Sequence, residues 1–260
     1  MEKNNKWDKE VEEMARILAV RKGCVALTGA GISVASGIPD FRSPQGLWEK
    51  FDPQVYATLE AWVSSPAKAW ELFRAVGKMV KNAMPNPAHI SLGKLENMGI
   101  MDAVITQNVD GLHQLGGSKN VIEFHGNTRE IICQRCEWKA KENESMLMFE
   151  SEGVPLCPEC GFPLRPRVVL FGEPIPEESL SKAMEAISKC KSLIVIGTSA
   201  VVAPASYLPY QAKRMGCPIL EINLDSTPVS QIADISIRGS AEKILPEVIE
   251  KINIFHIPQE

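Results

Sequence analysis

Residues 28–48 read TGAGISVASGIPDFRSPQGLW, and they follow the apolar run CVAL at residues 24–27. The run is typical of a buried parallel strand, and the glycine-rich segment is typical of a sharp turn after it. Gly29, Gly31 and Gly37 lack a Cβ, so the backbone can approach an anion closely and present N–H groups to its oxygens. This pattern favours a phosphorylated nucleotide, although a tight turn without a ligand would use the same glycines.

The spacing of these glycines separates two classes of nucleotide-binding protein. The third glycine comes six positions after the second, which departs from the G-x-G-x-x-G fingerprint of hydride-transfer enzymes. A dehydrogenase is therefore disfavoured. The residues after the glycines are more specific, because Arg42 can pair with phosphate and Phe41 can cover a ring.

The composition is that of an ordinary globular protein with a substantial core. The chain has 260 residues and a formal net charge of -4, which suits one large domain or a domain with an insertion. We expect no membrane association, because no apolar run approaches the roughly 18–20 residues that cross a bilayer. The start, MEKNNKWDKE, is too polar for a signal peptide, and we expect a cytoplasmic protein.

Four of the seven cysteines have the spacing of a metal site. Cys133 and Cys136 form one C-x-x-C pair, and Cys157 and Cys160 form a second pair after twenty intervening residues. This spacing predicts one tetrahedral Zn²⁺ ion. Because four thiolates leave no position open for water or substrate, we expect the metal to be structural.

A zinc ribbon can also bind nucleic acid, which would place the chain in a different functional class. Residues 128–166 carry five basic and seven acidic side chains, and phosphate binding normally requires the opposite balance. We therefore expect no direct nucleic-acid binding. The other cysteines, Cys24, Cys190 and Cys217, are interpreted as small buried or half-buried apolar residues.

Four apolar runs end in polar or glycine-containing turns and outline one parallel sheet. They are residues 24–27, 103–105, 193–196 and 219–222. Helical periodicity over 8–21 and 177–190 predicts helices that alternate with these strands. The predicted fold class is therefore α/β, a Rossmann-like parallel sheet with helices on both faces.

Two segments interrupt this alternation and are expected to form a smaller lobe. Residues 44–86 are an aromatic-rich helical insertion, and residues 128–166 are the zinc-binding module. The Rossmann-like domain then comprises residues 1–43, 87–127 and 167–260. Ligand sites favour the carboxyl ends of parallel strands and the cleft between such lobes.

Three further segments supply chemical groups at that cleft. The sequence QNVD at residues 107–110 follows the second strand, although a capped, solvated turn has the same composition. His125 is a candidate general base, because an unperturbed imidazole has a pKa of about 6.5. In RVVLFGE, residues 167–173, Val169 and Phe171 share one face of an extended segment, either as a peptide-binding edge or as a core strand.

In their order along the chain, these motifs resemble those of the sirtuin family of NAD-dependent protein deacylases. The signature GAGISVASGIPDFRSPQGLW is followed by QNVDGLH, the HG histidine, the paired C-x-x-C, FGE, GTS and a late asparagine. The resemblance covers about residues 20–245 and is to a prokaryotic-type sirtuin with a single catalytic domain. It implies NAD as a co-substrate and one structural Zn²⁺ ion.

The resemblance also implies the roles of individual residues. His125 acts as the base toward a ribose hydroxyl, and Asn108, near the ribose and nicotinamide, is the second residue implied as catalytic. The residues implied for the acyl-lysine peptide are Val169, Phe171, Gly172 and Glu173. The residues implied for NAD are Gly29, Ala30, Gly31, Ser33, Asp40, Phe41, Arg42, Trp48, Gln107, Asn108, Val109, Asp110, Gly197, Thr198, Ser199, Asn223, Leu224, Asp225, Ser240 and Ala241.

By this resemblance the expected activity is NAD-dependent deacetylation of an acetyl-lysine protein or peptide. The acetyl group passes to ADP-ribose, and nicotinamide and O-acetyl-ADP-ribose are released. The alternatives are a mono-ADP-ribosyltransferase, a deacylase for longer apolar acyl groups, and a non-enzymatic NAD sensor. Phe73 and Val76 stand where relatives that prefer acidic acyl groups carry a Tyr-x-x-Arg pair, so succinyl-lysine is expected to be disfavoured.

Overall fold

The computed structural model describes residues 7–255, apart from the side chains of 142 and 143. The ends of the predicted Rossmann-like domain, 1–6 and 256–260, lie outside the described residues. The strands of the described chain are β1 Cys24–Thr28, β2 Met101–Thr106, β3 Val121–Glu123, β4 Gly126–Cys133, β5 Leu164–Val168, β6 Ser192–Ile196, β7 Ile219–Asn223 and β8 Ile235–Arg238.

Helices connect these strands. The α-helices of the described chain are α1 Asp8–Arg21, α2 Leu47–Lys50, α3 Pro53–Tyr56, α4 Leu59–Ser64, α5 Pro66–Asn82, α6 Pro87–Asn97, α7 Leu112–Leu115, α8 Glu142–Glu150, α9 Glu177–Lys189, α10 Leu208–Arg214 and α11 Ala241–Phe255. Short 3-10 helices span Ala30–Ser36, Ala205–Tyr207 and Pro228–Gln231. No helix within residues 7–255 has the length and apolarity needed to cross a bilayer.

Six strands form one parallel sheet in the order β3-β2-β1-β6-β7-β8. The strands β2 and β3 lie on one side of β1, and the later strands β6, β7 and β8 lie on its other side. Leu27 of β1 pairs with Ile105 on one side and with Val195 on the other. The point where strand order reverses is where open α/β sheets bind ligands.

Helices cover both faces of this sheet, which confirms the predicted fold class. The helices α1, α6 and α11 enclose one aliphatic core, and α9 and α10 enclose the other. Helix α1 has the apolar spacing of an amphipathic helix. Its buried stripe consists of Val11, Met14, Ala15 and Leu18. It ends where Lys22 and Gly23 adopt positive φ angles of 48° and 67°. We call this unit the sheet domain.

The helices α4 and α5 pack with β4, β5 and α8 around a separate aromatic core, which we call the small lobe. Trp70 is fully buried there, and its Nε1 donates to the carbonyl of Leu164 across the lobe at 2.7 Å. A Cβ on Gly77 would lie 2.6 Å from the ring of Phe149. The helical insertion and the zinc segment therefore share one core; their predicted boundaries stay a prediction.

Candidate active site

The loops that follow β1 and β6 interlock at the centre of the sheet edge. The N–H of Gly29 donates to the carbonyl of Ile196 at 3.0 Å, and that of Gly31 donates to the carbonyl of Gly197 at 2.8 Å. A Cβ on Gly31 would lie 2.8 Å from the Cα of Gly197. The N–H groups of Gly29 and Gly31 are thus engaged within the fold, and the contact of this loop with NAD stays a prediction. These two glycines allow the two backbones to touch.

Amide side chains after β2 hold the two loops together. Gln107 Nε2 donates to Thr198 Oγ1 at 3.0 Å. Asn108 Nδ2 donates to the carbonyl of Gly29 and to Ser33 Oγ, both at 3.1 Å. Asn108 is buried, so its amide is fixed by these contacts. The ends of β1, β2 and β6 therefore form one rigid floor.

Asp110 is joined to this floor through Ser33, and both of its carboxylate oxygens are engaged. Ser33 Oγ donates to Oδ2 at 2.8 Å, and the N–H of Leu112 donates to Oδ1 at 2.9 Å. Burial raises the pKa of Asp110, and the two hydrogen bonds oppose that rise. Asp110 therefore orients Ser33; its implied contact with NAD stays a prediction.

Two buried histidines complete this polar layer, and the sequence carries no signal for their pairing. The rings of His89 and His113 are 4.9 Å apart between centroids. His89 Nε2 lies 3.4 Å from Ser33 Oγ, and His113 Nε2 lies 2.9 Å from Thr28 Oγ1. Burial lowers the pKa of His89 to about 4 and that of His113 to about 3. Both rings are therefore neutral at neutral pH.

His125, which follows β3, is joined to both sides of the cleft. Its Nδ1 lies 3.1 Å from the carbonyl oxygen of Gln107, and its own carbonyl accepts from the N–H of Val169 at 2.9 Å. A carbonyl oxygen can only accept, so Nδ1 carries the proton and Nε2 keeps a lone pair. Burial lowers the pKa of His125, and the bond to Gln107 opposes this. The ring is thus a neutral base.

The loop after Gly37 forms a wall of aromatic rings. Phe41 and Trp48 have ring centroids 4.8 Å apart, and Trp48 lies 6.1 Å from the ring of Phe171. Arg42 Nη1 donates to Ser199 Oγ at 2.6 Å. Asp40 Oδ1 accepts from two backbone N–H groups of its own turn. Asp40 therefore shapes the loop that carries the aromatic and the guanidinium groups.

Residues 169–173 connect the two lobes along the cleft. The N–H of Phe171 donates to the carbonyl of Ala57 at 2.9 Å, while the Phe171 ring is 41% exposed. Val169 is half-buried, Gly172 is exposed, and Leu170 is buried in the small-lobe core. The side chain of Glu173 accepts from the N–H of Leu170 and from Arg165. Glu173 thus stabilises the turn, and its peptide contact stays a prediction.

The remaining residues implied for NAD lie at the same edge of the sheet. Asn223 Nδ2 donates to the carbonyl of Thr198 at 2.8 Å, and the N–H of Gly239 donates to the carbonyl of Asn223 at 3.0 Å. These contacts bring the start of α11 beside the β6 loop. The other members of this group are the half-buried Ala30, Val109 and Ser240, the exposed Leu224 and Asp225, and the buried Ala241.

Four cysteines converge in the small lobe as the spacing predicts. The Sγ atoms of Cys133, Cys136, Cys157 and Cys160 all lie within 4.8 Å of one another. Both C-x-x-C segments have the same turn, because the N–H of Glu137 donates to the carbonyl of Cys133 and that of Gly161 donates to the carbonyl of Cys157. Four converging sulfur donors fit a closed, tetrahedral structural Zn²⁺ site.

Comparisons with known proteins find relatives over nearly the whole chain. The model of the Sir2 family matches residues 29–204, more than half of the chain. The NAD-dependent protein deacylase of Pyrococcus abyssi is 45% identical over 245 residues, which cover 93% of this chain and 98% of that protein.

Two solved structures are similar in both sequence and fold. A Sir2 variant with a deacetylated p53 peptide and 3′-O-acetyl-ADP-ribose is 39% identical, with a TM-score of 0.88 over 93% of this chain and 98% of that chain. Sir2Af2 bound to a myristoylated histone peptide is 36% identical, with a TM-score of 0.81 over 95% of this chain and 98% of that chain.

Proposed function

The chain belongs to the Sir2 family, and on that premise we propose that it is an NAD-dependent protein lysine deacetylase. The acetyl group passes from lysine to ADP-ribose, with release of nicotinamide and O-acetyl-ADP-ribose. The observation that carries the proposal is the neutral ring of His125, held through Nδ1 by the carbonyl of Gln107 at the junction of the lobes.

NAD is a co-substrate, and when bound it supplies the ribose carbon that the acyl oxygen attacks. The interlocked loops after β1 and β6 form the proposed dinucleotide site, with Arg42 beside Ser199 for the phosphates. Asn223 fixes the β6 loop from the adenosine side. The rigid floor supports the proposal, because NAD then binds to groups that need no rearrangement.

His125 moves the proton in this mechanism. Its Nε2 accepts the proton of a ribose hydroxyl, and the Nδ1–H bond to the Gln107 carbonyl strengthens as the ring becomes positive. Asn108 is held by Gly29 and Ser33, and we assign it to orienting the sugar. Proximity in a site with little water is needed, because a neutral acyl oxygen is a weak nucleophile.

The acyl-lysine lies, in this proposal, between Val169 and Phe171, whose side chains share the cleft side of the segment. Deacetylated and myristoylated peptides in the two similar structures support a peptide substrate. The apolar lining favours acetyl or longer apolar acyl groups over acidic ones. Phe73 is buried against Trp70 in the small-lobe core, so the pocket role of Phe73 and Val76 stays a prediction.

The zinc centre is assigned a structural role. Cys133, Cys136, Cys157 and Cys160 would hold the ion and join the two C-x-x-C segments into one unit. We also propose a cytoplasmic location without membrane association, supported by the lack within residues 7–255 of a helix able to cross a bilayer. We propose no binding to nucleic acid, supported by the net charge of -4 and the acidic zinc segment. The domain boundaries given above are part of the same proposal.

Mass spectrometry tests the activity directly. An acetyl-lysine peptide is incubated with NAD and either the native chain or His125→Ala. We expect free lysine and O-acetyl-ADP-ribose with the native chain and a loss of at least about 100-fold in the variant. Zinc content and thermal unfolding of the variant serve as controls for folding. Nicotinamide release with ADP-ribosylated protein and no free lysine would contradict the proposal and identify a transferase.

A further inference from the structure

Two cysteines outside the zinc centre are in direct contact. Cys190 follows α9, and Cys217 follows α10 just before β7. Their Sγ atoms lie 2.9 Å apart. The nearest sulfur pairs of the zinc centre are separated by 3.5 Å, so the contact between Cys190 and Cys217 is closer than that between thiolates arranged around a metal.

The backbone holds this pair in place from both sides. Leu193 of β6 pairs with Ile219 of β7 in parallel register, and the N–H of Leu193 donates to the carbonyl of Pro218 at 2.9 Å. The N–H of Cys217 donates to the carbonyl of Ala212 at 3.0 Å. Both cysteines therefore stand at the amino ends of adjacent strands, at the opposite edge of the sheet from the candidate active site.

We propose that Cys190 and Cys217 form a reversible disulfide that links the amino ends of β6 and β7. A disulfide bond needs sulfurs about 2.05 Å apart, so the observed 2.9 Å requires only a small side-chain adjustment. The two residues are half-buried and buried, as interpreted from the sequence, and their contact with each other adds a pair that the sequence does not reveal. The proposal does not depend on the activity assigned above.

The reaction is a thiol–disulfide exchange with a low-molecular-weight disulfide, for example oxidised glutathione. The Cys190 thiolate attacks one sulfur of the oxidant, an S–S bond forms, and one thiolate leaves. Cys217 then loses its proton and attacks Cys190 Sγ, which closes the protein disulfide and releases the second thiolate. Two protein thiols are oxidised and one small disulfide is reduced to two thiols.

The environment gives the two sulfurs different roles. Cys190 is partly exposed, whereas Cys217 is 5% exposed, so an oxidant reaches Cys190 first. The hydrogen bond from Cys217 lowers the pKa of Cys190, and Lys191 adds to this, whereas burial opposes it. The same contact, together with burial, raises the pKa of Cys217. Cys190 is thus the attacking thiolate and Cys217 the resolving thiol.

The disulfide would close a loop that carries β6, the Gly197–Ser199 turn and α10. Closing a loop of this length restricts the unfolded chain, and it should raise Tm by roughly 5–10 °C. In a reducing compartment the pair stays open, and under oxidising conditions the link forms. The expected result is a redox-dependent change in the stability of the sheet domain.

Peptide mapping tests the linkage. The zinc-loaded full chain is equilibrated with oxidised or reduced glutathione, alkylated without reduction, and digested with trypsin. Cleavage after Lys189, Lys191 and Arg214 would leave the dipeptide 190–191 joined to the peptide 215–238. The Tm is measured in parallel for the native chain, Cys190→Ser and Cys217→Ser, with zinc content as the control for the metal centre.

We expect the linked peptides and the higher Tm only in the oxidised native chain, with reversal by dithiothreitol and no redox-dependent shift in either variant. Full alkylation of both cysteines after oxidation, while zinc stays bound, would overturn the proposal. A link from either cysteine to Cys24, or a linked chain with unchanged Tm, would also overturn it. If one variant fails to fold, the other and the native chain still decide the result.

Discussion

The sheet domain buries aliphatic side chains on both faces of a parallel sheet, whereas the small lobe packs tryptophan and phenylalanine rings beside four cysteines. The first has two continuous cores enclosed by five helices. The second has one core that is interrupted by the metal centre. We therefore expect apolar burial alone to stabilise the sheet domain and the small lobe to depend also on its metal.

This difference matters because residues of both units line the cleft. His125 belongs to the sheet domain. The segment 169–173 is held by two hydrogen bonds, from the N–H of Val169 to the carbonyl of His125 and from the N–H of Phe171 to the carbonyl of Ala57 in the small lobe. Loss of order in the small lobe would remove one wall of the site and leave the floor intact. Four changes test this difference between the sheet domain and the small lobe.

The largest effect is expected from removing a zinc ligand. Cys157→Ser should abolish zinc binding, unfold the small lobe and reduce deacylation by at least about 100-fold, while the sheet domain stays folded. Limited proteolysis should cut within residues 128–166 of the variant, and zinc content is measured by atomic emission. Cys217→Ser in reducing buffer is the control and should retain zinc. A protease-resistant small lobe without zinc would show that its aromatic core suffices.

A buried ion pair links the zinc module to the cleft segment. Arg165 and Glu173 are 2.5 Å apart, with side chains 5% and 12% exposed. Arg165→Ala leaves Glu173 buried without its partner, so we expect a loss of about 3–5 kcal/mol in the stability of the small lobe. The matched control is Arg167→Ala, because the Arg167–Glu130 pair is 42% exposed on both sides and should contribute no more than about 1 kcal/mol.

The stability of these two variants is compared by denaturant unfolding, with the release of zinc as the measured signal. If Arg165→Ala and Arg167→Ala lowered the free energy of unfolding equally, burial of the Arg165–Glu173 pair would have no effect on stability. If only Arg165→Ala lowered the stability and also raised the KM for the peptide, the result would support a role for this pair in holding the cleft wall.

Gly31→Ala tests the interlocked loops of the sheet domain. The new Cβ would lie 2.8 Å from the Gly197 Cα, so we expect a loss of about 1–3 kcal/mol in stability and at least about tenfold weaker NAD binding. Gly37→Ala is the control. Gly37 has φ of 85° but no atom within 4 Å of the added Cβ. The Gly37→Ala variant should therefore lose about 1–2 kcal/mol of stability from backbone strain alone. Unchanged NAD binding in Gly31→Ala would contradict the interlock.

The last change is one of pH, and its effect accumulates gradually as pH falls. His89 and His113 have pKa values lowered by burial to about 4 and about 3, whereas both titrate at about 6.5 in the unfolded chain. The unfolded state therefore binds more protons between these values, and the sheet domain should lose stability as pH falls from about 6.5 toward 4, at up to about 1.4 kcal/mol per pH unit for each histidine.

Hydrogen exchange of the β1 amides measures this slope in the sheet domain, separately from zinc release in the small lobe. His113→Gln should reduce the slope by about half, because one buried neutral ring is removed. A flat profile in the native chain would mean that neither histidine titrates differently in the folded and unfolded states.

The central strands are predictable from sequence because each contains a largely apolar run buried on both faces, interrupted only by Glu221 in the last. The runs at 24–27, 103–105, 193–196 and 219–222 all lie within strands of the sheet, and α1 spans the predicted residues 8–21. The edge strands β3 and β8 were not predicted. They have three and four residues and alternate buried with half-buried side chains, so they carry too little apolar sequence to stand out.

The residues of the candidate site also differ in whether the sequence predicts them. The zinc ligands and His125 are visible because each belongs to a local motif of fixed spacing. The contacts of Ser33 with Asp110 and of Cys190 with Cys217 join residues far apart in the chain, and no local pattern encodes such pairs. The glycine-rich loop was found, but only the fold shows that Gly29 and Gly31 serve contact between loops.

The position of Trp48 between Phe41 and Phe171 gives the molecule an intrinsic optical probe. Three of the other four tryptophans, Trp62, Trp70 and Trp138, pack in the small lobe, and Trp7 packs against the sheet domain. Replacing these four with phenylalanine would leave one fluorophore at the cleft. Its emission wavelength and lifetime would then report changes in the polarity and packing around this aromatic wall in solution, without any attached dye.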